Sequence, residues 1–112
     1  IKIEEGKRTP LKYTVADHLQ IPEEAAKLIE EKKEKEFQMA YQKGEDLYLI
    51  KGYGRQMSGG YSIQVTDLSA SVNAVFFETK LIGPTEEVQG GEPSYPYIVV
   101  KTEYRDVPVQ FQ

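Results

Sequence analysis

Four glycines fall within nine residues of the chain: Gly52, Gly54, Gly59 and Gly60. A glycine-rich loop can hold a phosphate group on its backbone amides, so we tested the spacing against two phosphate-binding templates. The P-loop template, begun at Gly54, requires a lysine and a hydroxyl residue where the chain has Gly60 and Tyr61. The dinucleotide template requires a third glycine at Met57. The spacing therefore argues against a nucleotide or other cofactor.

The same glycines suit a tight or bulged turn between two strands, because glycine adopts positive φ without steric cost. Such a turn also presents its side chains with little bulk around them. Arg55, Met57 and Tyr61 belong to residue types that are enriched in protein interfaces. Two interpretations, a structural turn and a recognition loop, stay open and do not exclude each other.

A second candidate segment is Tyr95-Pro96-Tyr97. An aromatic residue before proline favours a cis bond and marks a turn into the next strand, which is the simpler interpretation. The alternative is an aromatic surface beside the glycines, formed together with Tyr53 and Tyr61. We predict a protein-binding site made of the following residues: Arg55, Met57, Ser58, Gly59, Gly60, Tyr61, Tyr95, Pro96 and Tyr97.

The residues that could support catalysis are few. His18 is the only histidine, and a triad or a metal site would need further groups at defined spacing. The chain has no cysteine, so a thiolate nucleophile or metal ligand is excluded. Glutamate pairs at 23–24, 30–31 and 86–87 are typical of solvated faces rather than of a buried catalytic pair. We predict no enzyme activity, no metal and no cofactor.

Length and charge set the broad class. A chain of 112 residues, 39% of them hydrophobic, fits one compact domain over 1–112. The formal charge of −4, with both signs mixed along the chain, argues against a nucleic-acid partner. No apolar run approaches the roughly 20 residues that span a bilayer. Because the chain begins with Ile1 rather than methionine, we expect either a trimmed chain or a mature product whose targeting segment was removed.

The first third of the chain predicts one helix. Residues 1–10 show no apolar period and are interpreted as a mobile segment, followed by at most a short strand near 11–15. Pro22 and two glutamates suit a first helical turn, and Ala25, Leu28 and Ile29 form an apolar stripe. The helix is predicted over about 22–35.

The rest of the chain predicts strands. Residues 37–41 alternate, 43–46 form a turn, and 47–51 are apolar on both faces. This favours a central strand covered on one side by the helix and on the other by a second layer or a loop. Further strands are predicted at 61–65 and 75–81, and a surface loop at 83–93. Residues 97–104 and 107–111 should form a closing hairpin, with Pro108 on an edge. The predicted fold class is α+β, with a mainly antiparallel sheet in two layers.

Two motifs in this order carry a family resemblance. Ser58-Gly59-Gly60-Tyr61-Ser62-Ile63 follows a strand that ends in glycine, and Tyr95-Pro96-Tyr97-Ile98-Val99-Val100 comes later. Together they resemble the C-terminal domain of the protease complex subunit PrcB family over residues 47–104. Members of that family are secreted or lipid-anchored bacterial proteins, and the named member belongs to a surface protease complex.

The resemblance implies a noncatalytic accessory subunit at the bacterial cell surface, secreted or anchored as a lipoprotein, with a protein partner such as a protease. A weaker similarity, to the Thr-Gly-Tyr loop of chagasin-type cysteine protease inhibitors, supports a second hypothesis in which residues 55–61 inhibit a protease. In a third hypothesis the glycines only shape the sheet, and the domain is a structural spacer of a lipoprotein.

Overall fold

The computed structural model of the protein describes residues 9–17, 19–84 and 92–111. His18, the glutamates at 86–87 and residues 1–8 lie outside the described residues. The described part contains one helix and eight strands. In chain order they are β1 (Thr9–Pro10), β2 (Tyr13–Val15), α1 (Glu23–Lys32), β3 (Glu36–Lys43), β4 (Asp46–Tyr53), β5 (Ser62–Ala70), β6 (Val75–Ile82), β7 (Tyr97–Glu103) and β8 (Val109–Phe111).

The strands form two four-stranded sheets. The order β2-β7-β4-β3 makes up one of them, here named the central sheet, and the order β1-β5-β6-β8 makes up the other, the outer sheet. Every pairing is antiparallel except that of β6 with β8. The fold is therefore mainly antiparallel and two-layered, with a single helix, as the sequence predicts.

Strand β4 shows how the layers are held together. Leu47 and Leu49 are buried in a cluster shared with residues of the outer sheet, whereas Tyr48 and Ile50 are buried in a cluster with Ala25 and Ile29 of α1. Full burial of a large apolar side chain contributes about 1.5–3 kcal/mol. The prediction of a central strand covered on both faces is confirmed.

The helix begins where the sequence predicts and ends earlier. Pro22 is its N-cap, and two glutamates occupy the first turn. The last helical residue is Lys32 rather than residue 35, and Lys35 N donates to Lys32 O at 3.2 Å in a closing turn. Arg55 N donates to Glu34 O at 3.2 Å. This bond connects the segment just after the helix to the segment that follows β4.

The end of the chain corrects one prediction. Residues 109–111 do not form a hairpin with β7 but run parallel to β6 at the edge of the outer sheet. Val75 N donates to Pro108 O at 2.9 Å, and the Phe111 ring meets the Phe77 ring edge-on at 6.0 Å. Burial of Phe111 against the intersheet core favours this pairing over a hairpin. The edge position predicted from Pro108 is confirmed.

The start of the described chain also joins the two sheets. β1 pairs with β5 of the outer sheet, and β2 pairs with β7 of the central sheet. Between them, Leu11 N donates to Leu68 O, and Thr102 Oγ1 donates to Lys12 O, both at 2.9 Å. The short strand predicted near 11–15 is therefore present as β2, and Thr9 and Pro10 add a second one.

Candidate functional site

Residues 54–61, here named the glycine loop, connect β4 of the central sheet to β5 of the outer sheet. Gly54 has φ +76°, and a Cβ there would lie 3.0 Å from the Glu36 backbone nitrogen. Gly60 has φ +86°, and a Cβ there would lie 3.0 Å from the Pro84 side chain. Both positions need glycine because positive φ coincides with close approach of another segment.

Hydrogen bonds attach the glycine loop to the segment before β7. Gln56 and Ser94 exchange two backbone bonds of 2.8 and 3.1 Å, and Ser94 Oγ donates to Ser58 O at 2.6 Å. Gln56 Nε2 also donates to Tyr53 O at 3.0 Å. The structure thus brings together the two segments that the sequence singles out, 55–61 and 95–97.

The side chains of the glycine loop differ in exposure. Arg55 and Met57 flank the bridged Gln56, and Met57 is 81% exposed. Arg55 is also exposed, whereas Gln56 between them is half-buried. Gly60 is exposed as well, whereas Ser58, Gly59 and Tyr61 are half-buried. Arg55 and Met57 are therefore the exposed side chains of the glycine loop apart from glycine itself.

The four tyrosines near the loop have separate surroundings. The Tyr53 hydroxyl is hydrogen-bonded to Thr79 Oγ1, which links the two sheets, and Lys51 Nζ lies 5.2 Å from the Tyr53 ring centroid. Tyr95 is half-buried, and Tyr97 is 38% exposed. In the described ranges the close ring pairs are Tyr41–Tyr48 and Phe77–Phe111, so no stacked group joins these four tyrosines.

The segment 95–97 lies at the beginning of β7. Pro96 is half-buried, and its carbonyl accepts a 3.0 Å bond from Tyr53 N. All peptide bonds in the described part of the chain are trans, including the one before Pro96, although an aromatic residue before proline favours cis. Pro96 therefore shapes the start of β7, while Tyr97 is the more exposed aromatic group of the segment.

Lysine and glutamate side chains from the end of α1 complete the site. Lys33 Nζ lies 5.1 Å from the Tyr95 ring centroid and 2.9 Å from Glu30 Oε2. The hydrogen bond to Glu30 and its negative charge raise the pKa of Lys33 above the ordinary value. The sequence does not indicate Lys33 or Ser94 as part of the site, because the contacts of Lys33 with Tyr95 and of Ser94 with Ser58 join residues far apart in the chain and follow no motif.

Acidic and basic side chains also lie elsewhere in the described residues, away from the glycine loop. Among the described residues, no group of three or more His, Cys, Asp and Glu side chains could hold a metal ion. A groove of about 710 Å³ lies at the opposite end of β4, where residues 44–46 meet 101–104. Lys101 Nζ and Asp46 Oδ2 are 3.5 Å apart there. This groove is separate from the glycine loop.

No helix within the described ranges is both long enough and apolar enough to cross a membrane.

Comparison with known proteins agrees with the two motifs. Residues 47–103 match the family model described as PrcB C-terminal, and no curated protein or solved structure matches the chain. The match begins in β4 and ends at the last residue of β7, so it contains the glycine loop and residues 94–97. It covers just over half of the chain. The chain therefore belongs to the PrcB C-terminal family.

Proposed function

We propose that this domain is a noncatalytic protein-binding domain that acts outside the cytoplasm as an accessory subunit of a protease. Its contact surface is the glycine loop together with residues 95–97. The family takes its name from a subunit of a protease complex, which supports this class of partner. The observation that carries the proposal is the fixed glycine loop with Met57 exposed at its surface.

The contacts of the loop suit binding. Bonds from Arg55 to Glu34 and from Gln56 to Ser94 fix the loop before Met57, and the bond from Ser94 Oγ to Ser58 O fixes it after Met57. A loop that is already ordered loses less conformational entropy when a partner binds. Methionine and arginine are enriched at the centres of protein interfaces, where burial of an apolar side chain is favourable. Arg55 and Met57 therefore form the core of the proposed contact.

The proposed compartment, a bacterial surface reached by secretion or lipid anchoring, is what the resemblance to the PrcB family implies. The sequence of the precursor tests it. We expect a signal peptide upstream of residue 1, with a lipoprotein-type cysteine if the protein is anchored. A precursor without any export signal contradicts the extracytoplasmic part of the proposal.

Site-specific photocrosslinking in the source bacterium tests the contact surface. A photoreactive amino acid replaces Met57 in one variant and Val72 in the other. Val72 is 93% exposed in the turn between β5 and β6, so it is a matched control at the other end of β5. We expect a protease subunit to crosslink from position 57 and not from position 72. Equal crosslinking from both positions, or none from 57, contradicts the proposed surface.

An activity assay of the protease identified by crosslinking, in its free form, distinguishes an accessory subunit from an inhibitor. An inhibitor that places residues 55–61 in the active-site cleft blocks the hydrolysis of even a small peptide substrate. An accessory subunit leaves that hydrolysis intact or protects the protease from inactivation. We therefore expect an excess of the domain to leave the hydrolysis rate unchanged or higher. Loss of hydrolysis that depends on Arg55 favours the inhibitor.

A further inference from the structure

Among the described strands, β3 has one edge that is not paired. β3 pairs with β4 in an unbroken antiparallel register, from Glu36 opposite Tyr53 to Lys43 opposite Asp46. It is the outer strand of the central sheet, and no other described segment pairs with it. Backbone N–H and C=O groups along this edge therefore point away from the sheet without a strand to receive them.

The other outer strands are protected in ways that β3 is not. β1 has two residues, one of them Pro10, and β2 and β8 have three residues each. β3 has eight residues, without proline, glycine or a bulge. Natural proteins protect such an edge with charges, prolines or bulges. Residues 37–42 carry no charge, although 29% of the chain is charged, so the middle of β3 lacks all three devices.

The two faces of β3 differ in a regular way. Phe37, Met39 and Tyr41 are half-buried and pack against the cluster beneath α1. Gln38 and Ala40, on the other face, are exposed. An added strand would extend both faces, with apolar side chains beside the helix and small or polar side chains opposite.

We propose that β3 pairs with β3 of a second copy of this chain, in antiparallel orientation, to form one continuous eight-stranded sheet. The symmetry axis is a two-fold perpendicular to the sheet, which keeps both helices on the same face and pairs residues of like face. An axis through Met39 places Phe37 opposite Tyr41 of the second copy. Gln38 then lies opposite Ala40 of the second copy.

The residue pattern of β3 suits a second copy as the occupant. With the axis at Met39, Glu36 lies opposite Gln42. The one like-charged pair in this register, Lys43 opposite Lys35 of the second copy, lies at the end of the strand, where both side chains are exposed to solvent. Glu36 is already paired with Lys51 Nζ at 2.8 Å within its own chain. Apolar residues face apolar residues on the helical side, as cross-strand pairing favours. A contact through one strand edge is small, so we expect a dissociation constant on the order of tens of micromolar.

A charge-swap experiment tests this pairing. One variant carries Gln38→Lys and Ala40→Lys, and a second carries Gln38→Glu and Ala40→Glu. Both sites are exposed, so the fold should tolerate them, and in the proposed register each variant opposes like charges across the two-fold axis. The control carries Ser62→Lys and Thr66→Lys at exposed sites of β5 in the outer sheet, where β1 pairs only with Ser69 and Ala70, so it places the same charges on a different strand edge.

Sedimentation velocity from about 1 to 500 µM, a range set around the expected affinity, measures the result. We expect the wild-type chain and the β5 control to dimerise, and each β3 variant to stay monomeric. An equimolar mixture of the two β3 variants should dimerise again. Dimerisation of either β3 variant alone, or a mixture that stays monomeric, overturns the proposal. A wild-type chain that stays monomeric also overturns the proposal. An extended segment of another protein would then be the expected partner of the β3 edge.

Discussion

Strand β4 has a glycine turn at each end, and glycine is needed in the two turns for different reasons. The hairpin turn before β4 contains Gly44, with φ +63° and no atom within 4 Å of the point that a Cβ would occupy. The glycine loop after β4 contains Gly54, where backbone atoms of residues 35 and 36 lie within 3.0–3.3 Å of that point. The hairpin turn therefore needs glycine for its local backbone conformation alone. The glycine loop needs it also because another segment of the chain packs against it.

The two turns also differ in what they connect. The hairpin turn joins two neighbouring strands of one sheet, whereas the glycine loop crosses between sheets and is bonded to residues 34 and 94. A loop fixed from both sides can keep Arg55 and Met57 in one arrangement. Substitutions in and near the two turns test this difference, in order of decreasing effect.

Gly54→Ala should cause the largest loss of stability. The substitution combines positive φ with contact against the backbone at residues 35 and 36, which cannot move aside as a side chain can. We expect the free energy of unfolding in urea to fall by about 3 kcal/mol. A loss no larger than that of Gly44→Ala would remove the difference between the two turns.

Gly60→Ala should cost less, about 2 kcal/mol, because the atom it meets is the Pro84 side chain rather than backbone. The neighbouring Gly59→Ala is the matched control. A Cβ at Gly59 meets nothing within 4 Å, so its unfolding free energy should change by less than about 0.5 kcal/mol. Equal losses at the two positions would contradict the proposed role of the Pro84 contact.

Gly44→Ala tests the hairpin turn. Only the backbone conformation opposes a side chain there, so we expect a loss of about 1 kcal/mol. Crosslinking from position 57 should be unchanged, since Gly44 and Met57 lie beyond opposite ends of β4. Reduced crosslinking in the folded Gly44→Ala variant would indicate that the hairpin turn also contributes to partner binding.

The smallest effect concerns Tyr41, near the hairpin turn, whose hydroxyl donates to Glu24 Oε2 at 2.8 Å. This bond and burial raise the pKa of Tyr41 above its ordinary value of 10.0. Because the pKa is higher in the folded state, the stabilisation is complete below pH 10 and is lost as the pH rises through the folded-state pKa. Unfolding free energies from about pH 9 to 12 should therefore fall less steeply in Tyr41→Phe and in Glu24→Gln. An unchanged slope in Tyr41→Phe would rule out this linkage.

Much of the fold could be predicted from the sequence because its signals are local. Residues 47–51 are apolar on both faces, which predicts a strand covered on both sides. Pro22 and the glutamates after it mark the start of α1. The destination of β8 could not be predicted in this way. Alternation of Val107, Val109 and Phe111 is the same for a hairpin and for a parallel strand, and the choice depends on burial of Phe111 against Phe77.

The candidate site shows the same limit. The glycines predict a turn, and Arg55 and Met57 can be recognised as interface residue types. The bonds that fix the loop come from backbone groups of residues 34 and 94 and from the Ser94 hydroxyl. Backbone groups carry no signal in residue identity, and a single serine far along the chain follows no motif. The sequence therefore predicts which side chains the loop offers, but not what holds the loop in place.

The most direct test of the proposed function compares binding and stability in one variant. Arg55→Ala/Met57→Ala removes both exposed side chains and leaves the glycines and the backbone bonds in place. We expect its affinity for the protease identified by crosslinking to fall by about tenfold or more. The free energy of unfolding should change by less than about 0.5 kcal/mol. Val72→Ala is the control and should change neither. Unchanged affinity in the folded double variant would contradict the claim that the glycine loop binds the partner.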